Sequence, residues 1–210
     1  MTAGAADVEL RAAGAALAAE CARYAGMGWM RGTSGNLSVV LGRDPLRLAV
    51  TTSGKDKGEL TDDDVVVVDE RGRTAGGDGD PVKVPSAEAG LHGRIAAVAG
   101  AGAVVHVHAL APVLAAEFWP DGVELRDLEM LKGFGRADHD VVTIPVVPNS
   151  QDMGVLGDAF EAGFRPDVPA LLVARHGVYA WGADLRQARH RLECLEWLLR
   201  FKVETRRDSR

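Results

Sequence analysis

The sequence contains only two cysteines in 210 residues, Cys21 and Cys194. Both fall in helix-like stretches without paired spacing. That excludes a disulfide-stapled scaffold and a cysteine-ligated metal, and predicts reduced thiols in the core. Positive charge is not in surplus: 24 Lys and Arg against 30 Asp and Glu give a net charge of −6. A chain of that balance lacks the concentrated basic face that a nucleic acid requires, so none is expected as its main partner. No apolar run approaches the ~20 residues needed to cross a bilayer, so no membrane association is expected. Met1 to Glu9 lacks a basic start followed by an apolar core, which argues against a signal peptide and predicts a cytoplasmic protein. There is also no internal repeat, low-complexity linker or break in composition. With 47% hydrophobic and 26% charged residues, the chain reads as one soluble α/β domain spanning 1–210.

Read in order, alanine-rich Asp7 to Tyr24 predicts a first helix, ended by Gly26-Met27-Gly28. Arg31 to Val40 is a glycine- and hydroxyl-rich turn running into a strand, and Leu46–Thr51 is a second strand that opens into Thr52-Ser53-Gly54-Lys55-Asp56-Lys57-Gly58. Val65–Asp69 reads as strand, and Glu70 to Asp80, with four glycines, as an exposed loop or hairpin. Pro85-Ser86-Ala87-Glu88 predicts a helix start with Ser86 as N-cap, continuing through Leu91, His92 and Ile95. Pro112 to Phe118 suits a short helix, Val141 to Val147 a strand, and Pro148 to Asp152 the approach to a helix ending near Gly163. Tyr179 to Gly182 reads as a turn. Asp184 then caps a final helix whose Leu185, Ala188, Leu192, Leu195 and Leu199 form an apolar stripe.

The chemistry is concentrated in Ala103-Val104-Val105-His106-Val107-His108. Residues i and i+2 of a strand point to one face, so His106 and His108 converge and make a half-site for a borderline divalent ion such as zinc. His176, at the end of the apolar run Ala170 to Ala174, is the candidate third ligand. The alternative is that these are ordinary strand histidines. The turns at Gly35-Asn36 and Ser53-Gly54, with the Ser86 helix start, offer backbone amides and hydroxyls to a phosphate-like anion. Lys55 and Lys57 either assist that anion electrostatically or are ordinary solvated loop lysines. Glu88 and Glu129 are the carboxylates considered for proton transfer, because a metal-bound carbonyl acidifies the neighbouring C–H. Read structurally instead, Glu88 is a first-turn helix residue and Glu129 a surface carboxylate. His92, one helical turn after Glu88, is either a supporting partner or a packed histidine.

Together these segments resemble the class II aldolase/adducin family. The matching pieces are Ser34-Gly35-Asn36-Leu37-Ser38, Ser53-Gly54-Lys55, Pro85-Ser86-Ala87-Glu88, His106-Val107-His108 and Arg175-His176-Gly177, in the family's order and across nearly the whole chain. Within the family the likeness is to its dehydratase branch. It rests on Thr52 to Gly58, Glu129-Met130-Leu131-Lys132-Gly133, Pro148-Asn149-Ser150-Gln151-Asp152 and His176 to Gly182. The resemblance implies a three-layer α/β/α fold with a central, mostly antiparallel sheet, and a cyclic homotetramer with sites at subunit interfaces. It implies one zinc per subunit on His106, His108 and His176, and substrate phosphate near Gly35, Asn36, Ser53, Gly54 and Ser86. The residue matching Glu88 is the acid/base of the aldolases and can ligate metal when substrate is absent; the residue matching Glu129 moves the proton in the dehydratases. Where the family often has a second serine, this chain has Ala87. The expected reaction is loss of water from a phosphorylated ketose carrying a methylthio end. A sugar-phosphate aldolase or epimerase, a non-enzymatic adducin-like interaction domain and a zinc hydrolase of another fold are the alternatives.

Overall fold

The computed structural model describes residues 3–74 and 83–207. The chain runs α1 (Ala3–Gly26), β1 (Asn36–Arg43), β2 (Leu46–Thr51), β3 (Val65–Asp69), α2 (Ala89–Val98), β4 (Ala103–Val107), α3 (Leu110–Phe118) and β5 (Val123–Arg126). A 3-10 turn (Glu129–Phe134) leads to β6 (Val141–Ile144), β7 (Val146–Val147), α4 (Met153–Gly163), β8 (Ala170–Val173), β9 (Gly177–Gly182) and α5 (Leu185–Arg207). Seven strands form one sheet in the order β3-β2-β1-β4-β9-β8-β7. Every neighbouring pair is antiparallel except β7 with β8. Strands β5 and β6 form a separate two-stranded sheet.

Side-chain alternation makes the layers. In β4, Val105 and Val107 join the larger core, while Val104 joins the smaller one on the opposite face. Strand β9 divides the same way, Val178 and Ala180 against Tyr179 and Trp181. The larger core receives Leu17, Cys21 and Tyr24 from α1, Ala115 and Ala116 from α3, and Leu192, Leu195 and Leu199 from α5. The opposite core receives Leu91 and Ile95 from α2 and Leu156 and Phe160 from α4. The result is the expected three-layer α/β/α arrangement with a mostly antiparallel sheet. Being covered on both faces, β4 is buried along its whole length, which is why it reads as a continuous apolar run.

Several local expectations change. Tyr179 to Gly182 is the second half of β9 rather than a turn. Val141 to Val147 is interrupted at Pro145, so β6 and β7 belong to different sheets. Ser86 does not cap α2: the helix starts at Ala89 with Glu88 at the cap position, and Ser86 Oγ accepts only a long bond from Glu88 N (3.4 Å). Strand β5 carries no sequence signal strong enough to be read. Of the loop expected over Glu70 to Asp80, the first part turns back through the Val68–Thr74 bridge, and 75–80 lie outside the described residues. Cys21 is buried and Cys194 half-buried, both as free thiols. No described helix is long and apolar enough to cross a membrane.

Candidate metal centre

Strand register builds the centre. His106, the fourth residue of β4, lies opposite Asn36 of β1 on one side and Tyr179 of β9 on the other. Its ring stacks on Tyr179 at 4.0 Å between centroids. His108 follows just beyond β4, its backbone N–H bonded to Trp29 O (2.9 Å), and keeps the same-side orientation that the spacing predicts. His176 comes from the tight turn between β8 and β9 rather than from a strand end. Candidate ligand atoms of the three histidines all lie within 4.8 Å of one another. The Nε2 atoms of His106 and His108 are 2.9 Å apart.

The outer nitrogens are held. His106 Nδ1 donates to Val178 O (3.0 Å), since a carbonyl can only accept. His176 Nδ1 lies 3.2 Å from Asn149 Oδ1. A proton fixed at Nδ1 leaves the inward Nε2 with its lone pair free, the tautomer a metal-binding imidazole needs. Burial pushes His106 down to about 3, with the neighbouring His108 and His176 adding to the effect against Glu88. Burial likewise lowers His108. Three inward-facing imidazole nitrogens fit a borderline divalent cation.

Glu88 closes the fourth side. Its Oε2 is 3.3 Å from His106 Nε2, its Oε1 3.1 Å from His176 Nε2, and Asn36 Nδ2 donates to Oε2 at 2.6 Å. Burial alone would raise this carboxyl, but His106, the Asn36 amide and His176 hold it down to about 2, so it stays anionic. The buried Tyr179 hydroxyl faces Glu88 without a well-formed hydrogen bond. Behind this group, His92 is fully buried with Nδ1 2.7 Å from Ser38 Oγ, a packed histidine held neutral by burial.

Two glycines make the closeness possible. Gly35 has φ +80°, and a Cβ there would lie 2.9 Å from His106 O. A Cβ on Gly177 would fall 2.4 Å from Val107 O and 3.0 Å from His106 Cε1.

Beside the imidazoles lies a cavity of about 250 Å³ whose walls include Gly35, Asn36, Ser53, Ser86, Glu88, His108 and His176. Most of the expected phosphate and metal residues therefore share one space. Gly54, Glu129 and the fully buried His106 are not among its walls. Glu129 begins the 3-10 turn, with its side chain 73% exposed and paired with Lys132 (2.7 Å).

Some contributors had no sequence signal for their roles. Asn149 orients His176, Gln151 lines the cavity, and the neighbouring Asp152 caps α4 through Gly154 N and Val155 N. The two loop lysines, read as anion helpers or as solvated, also separate. Lys55 pairs with Asp64, while Lys57 is buried against the cavity. A second cleft, of about 620 Å³, meets the centre at His108 and is walled by Met27, Trp29, Leu110, Ala111 and Leu114 among others.

The sequence pattern of the Class II Aldolase and Adducin N-terminal domain matches residues 15–203. The chain belongs to this family. A relative from Sulfurihydrogenibium sp. (strain YO3AOP1), named methylthioribulose-1-phosphate dehydratase, is 40% identical over 178 residues, covering 81% of this chain and 80% of its own. A relative of the same name from Persephonella marina (strain DSM 14350 / EX-H1) is 36% identical over 181 residues, covering 83% and 81%. Among solved structures, YgbL from Klebsiella pneumoniae superposes with a TM-score of 0.72 at 27% identity, over 88% of this chain and 85% of that one. An L-fuculose 1-phosphate aldolase gives 0.73 at 22% identity, over 92% and 86%, a likeness of fold. The zinc hydrolase of another fold is thereby ruled out.

Proposed function

We propose that this class II aldolase-family protein removes water from 5-methylthioribulose 1-phosphate, giving 2,3-diketo-5-methylthiopentyl 1-phosphate, as a cytoplasmic step of methionine salvage. The observation that carries the reading is the convergence of His106, His108 and His176 with Glu88 at the wall of a donor-lined cavity. The name shared by relatives 36% and 40% identical over most of the chain supports this choice of substrate.

One zinc per subunit, held by His106, His108 and His176, would polarise the C2 carbonyl and so acidify the C3 proton. The residues of the chain do the rest. Gly35, Asn36, Ser53 and Ser86 hold the phosphate end, with Gly54 shaping the turn that presents Ser53. Glu129 takes the C3 proton and returns it to the departing C4 hydroxyl, so that proton and hydroxyl leave together as water. Glu88 is the second carboxylate available for that transfer. The methylthio end passes His108 toward the apolar side of the cleft, made by Met27, Trp29, Leu110, Ala111 and Leu114, which suits a thioether, while Arg31, Glu196, Arg200 and Glu204 line the remainder.

Glu129 is exposed and outside its own chain's cavity, so in this reading a neighbouring copy supplies it within a homotetramer. Trp197 and Phe201, stacked and partly exposed on α5, are apolar surface of the kind subunit contacts cover.

The deciding experiment is incubation of the zinc-loaded protein with 5-methylthioribulose 1-phosphate and identification of the products by mass. Loss of one water with the carbon chain intact supports the dehydratase. Carbon–carbon cleavage means an aldolase on the same scaffold. Unchanged substrate, with zinc confirmed, removes this substrate and the proposal with it.

A further inference from the structure

Among the described residues, Lys57 is the only lysine or arginine that is fully buried, at 1% exposure. Its Nζ donates to two backbone carbonyls, Lys55 O (2.9 Å) and Thr33 O (3.2 Å). An ammonium carries three donors, so one remains. No described carboxylate pairs with it. The adjacent Asp56 turns its Oδ1 to Gly58 N (2.8 Å) instead, and Asp64 is taken by Lys55.

A buried cation without an anionic partner is costly, because water is lost and nothing of opposite charge replaces it. Burial lowers the Lys57 pKa accordingly. A solvated loop lysine would escape this by turning outward, as Lys55 does. Lys57 instead lies inside the wall of the cavity that Thr33, Ser34, Gly35, Asn36, Ser53 and Ser86 also line. Those neighbours present hydroxyls and amides, and the cavity's one carboxylate, Glu88, is already engaged by Asn36, His106 and His176.

We propose that Lys57 is the charge anchor of this cavity, kept unpaired by the protein so that the phosphoryl dianion of the substrate completes its coordination. This deepens the reading above and rests on it for the identity of the phosphate ester. The two carbonyls aim the ammonium and the ligand supplies the missing counter-charge. The cavity thereby distinguishes a phosphorylated sugar from its neutral parent. The same contact offsets the cost of burial only when the site is filled, so the empty protein carries a local instability that ligand relieves.

The test uses the zinc-loaded holoenzyme with Lys57→Met and, as a second variant, Lys57→Gln, titrated with inorganic phosphate and followed by thermal melting. The expected result is a ligand-free midpoint equal to or above wild type in the Met variant, because an unpaired charge has been removed. Phosphate affinity should fall by about 10- to 100-fold in both variants, the size of one charged hydrogen bond. KM for the phosphorylated substrate should rise by a similar factor, with kcat within a few-fold of wild type. Phosphate affinity within about twofold of wild type in either folded variant overturns the proposal. So does a lowered midpoint with intact phosphate binding, the mark of a merely structural lysine. If the wild-type protein leaves methylthioribulose phosphate unchanged, the substrate reading falls, yet the phosphate titration still decides the role of Lys57.

Discussion

Gly177 stands where no side chain fits. It turns the chain from His176 into β9 while the backbone passes against Val107 and both strand histidines. Gly177→Ala would force Val107 O, His106 and His108 to move together. The expected cost is about 2–4 kcal/mol of stability, with zinc content well below one per chain; a wild-type melt with full zinc would sink this account. Acid acts on the same neighbourhood. Burial holds His92 at about 4 and His106 at about 3, against 6.5 for the free side chain. Between pH 6.5 and about 4 the unfolded chain binds protons that the folded one refuses, so stability falls as pH drops. Glu88, held at about 2, adds its own loss only as pH approaches 4.5, where the unfolded carboxyl begins to bind protons that the folded one refuses. Urea melts of metal-free protein should lose about 3 kcal/mol between pH 7 and pH 5, and a flat profile would contradict neutral burial. Both histidines that meet at 2.9 Å were legible in the sequence, since a period of two is a local property of a strand. The inward turn of Lys57 and the grip of Asn149 on His176 were not, because each depends on packing between segments distant in sequence.

The strands and helices differ in how openly the sequence declares them. Helix α5 announces itself through Ala188, Leu192, Leu195 and Leu199, all fully buried. Strand β9 hides: Tyr179 and Trp181 favour a strand, but Gly177 and Gly182 at its two ends carry the signal of a turn. It becomes a strand because β4 and β8 pair with it on both sides. Pro145 is the opposite case, a visible breaker that divides β6 from β7 inside one apolar run. In the proposed reading, the helix that bears most on specificity is α3. Its first residue, Leu110, is 70% exposed at the mouth of the cleft beside His108. Leu110→Asp should change stability by no more than about 0.5 kcal/mol. It should raise KM for the methylthio substrate severalfold, since a carboxylate replaces apolar contact with the thioether. The check is KM for that substrate against KM for ribulose 1-phosphate, which lacks the methylthio group; an equal change in both would detach the cleft from the reaction.

At the scale of the molecule, the layered architecture could be read before any coordinates, because the motifs that carry the family resemblance span nearly the whole chain. The relation of Glu129 to the centre could not, since no pattern within one chain reports which copy faces which cavity. If Glu129 acts across a subunit boundary, two inactive chains should complement each other. Mixed oligomers of Glu129→Gln and His176→Ala chains would then recover part of the activity that each homo-oligomer lacks. Glu129→Gln alone should keep its zinc and lose about 10²- to 10⁴-fold in kcat. Mixtures no more active than either parent would return Glu129 to its own chain's surface, and full turnover of Glu129→Gln would transfer the proton to Glu88.

His176 lies 70 positions downstream of His106, and the β4–β9 pairing that brings the two together joins the middle of the chain to a strand near its end. No fragment released early from a ribosome holds the complete ligand set. If these histidines hold a metal as proposed, its capture is a late event in biogenesis, open only to chains whose central strands have already paired. A bound ion would then bridge segments far apart in sequence, resisting their separation most strongly when the chain begins to come undone. In a cell short of zinc, the first thing to suffer would be not the turnover of molecules already made but the survival of new ones.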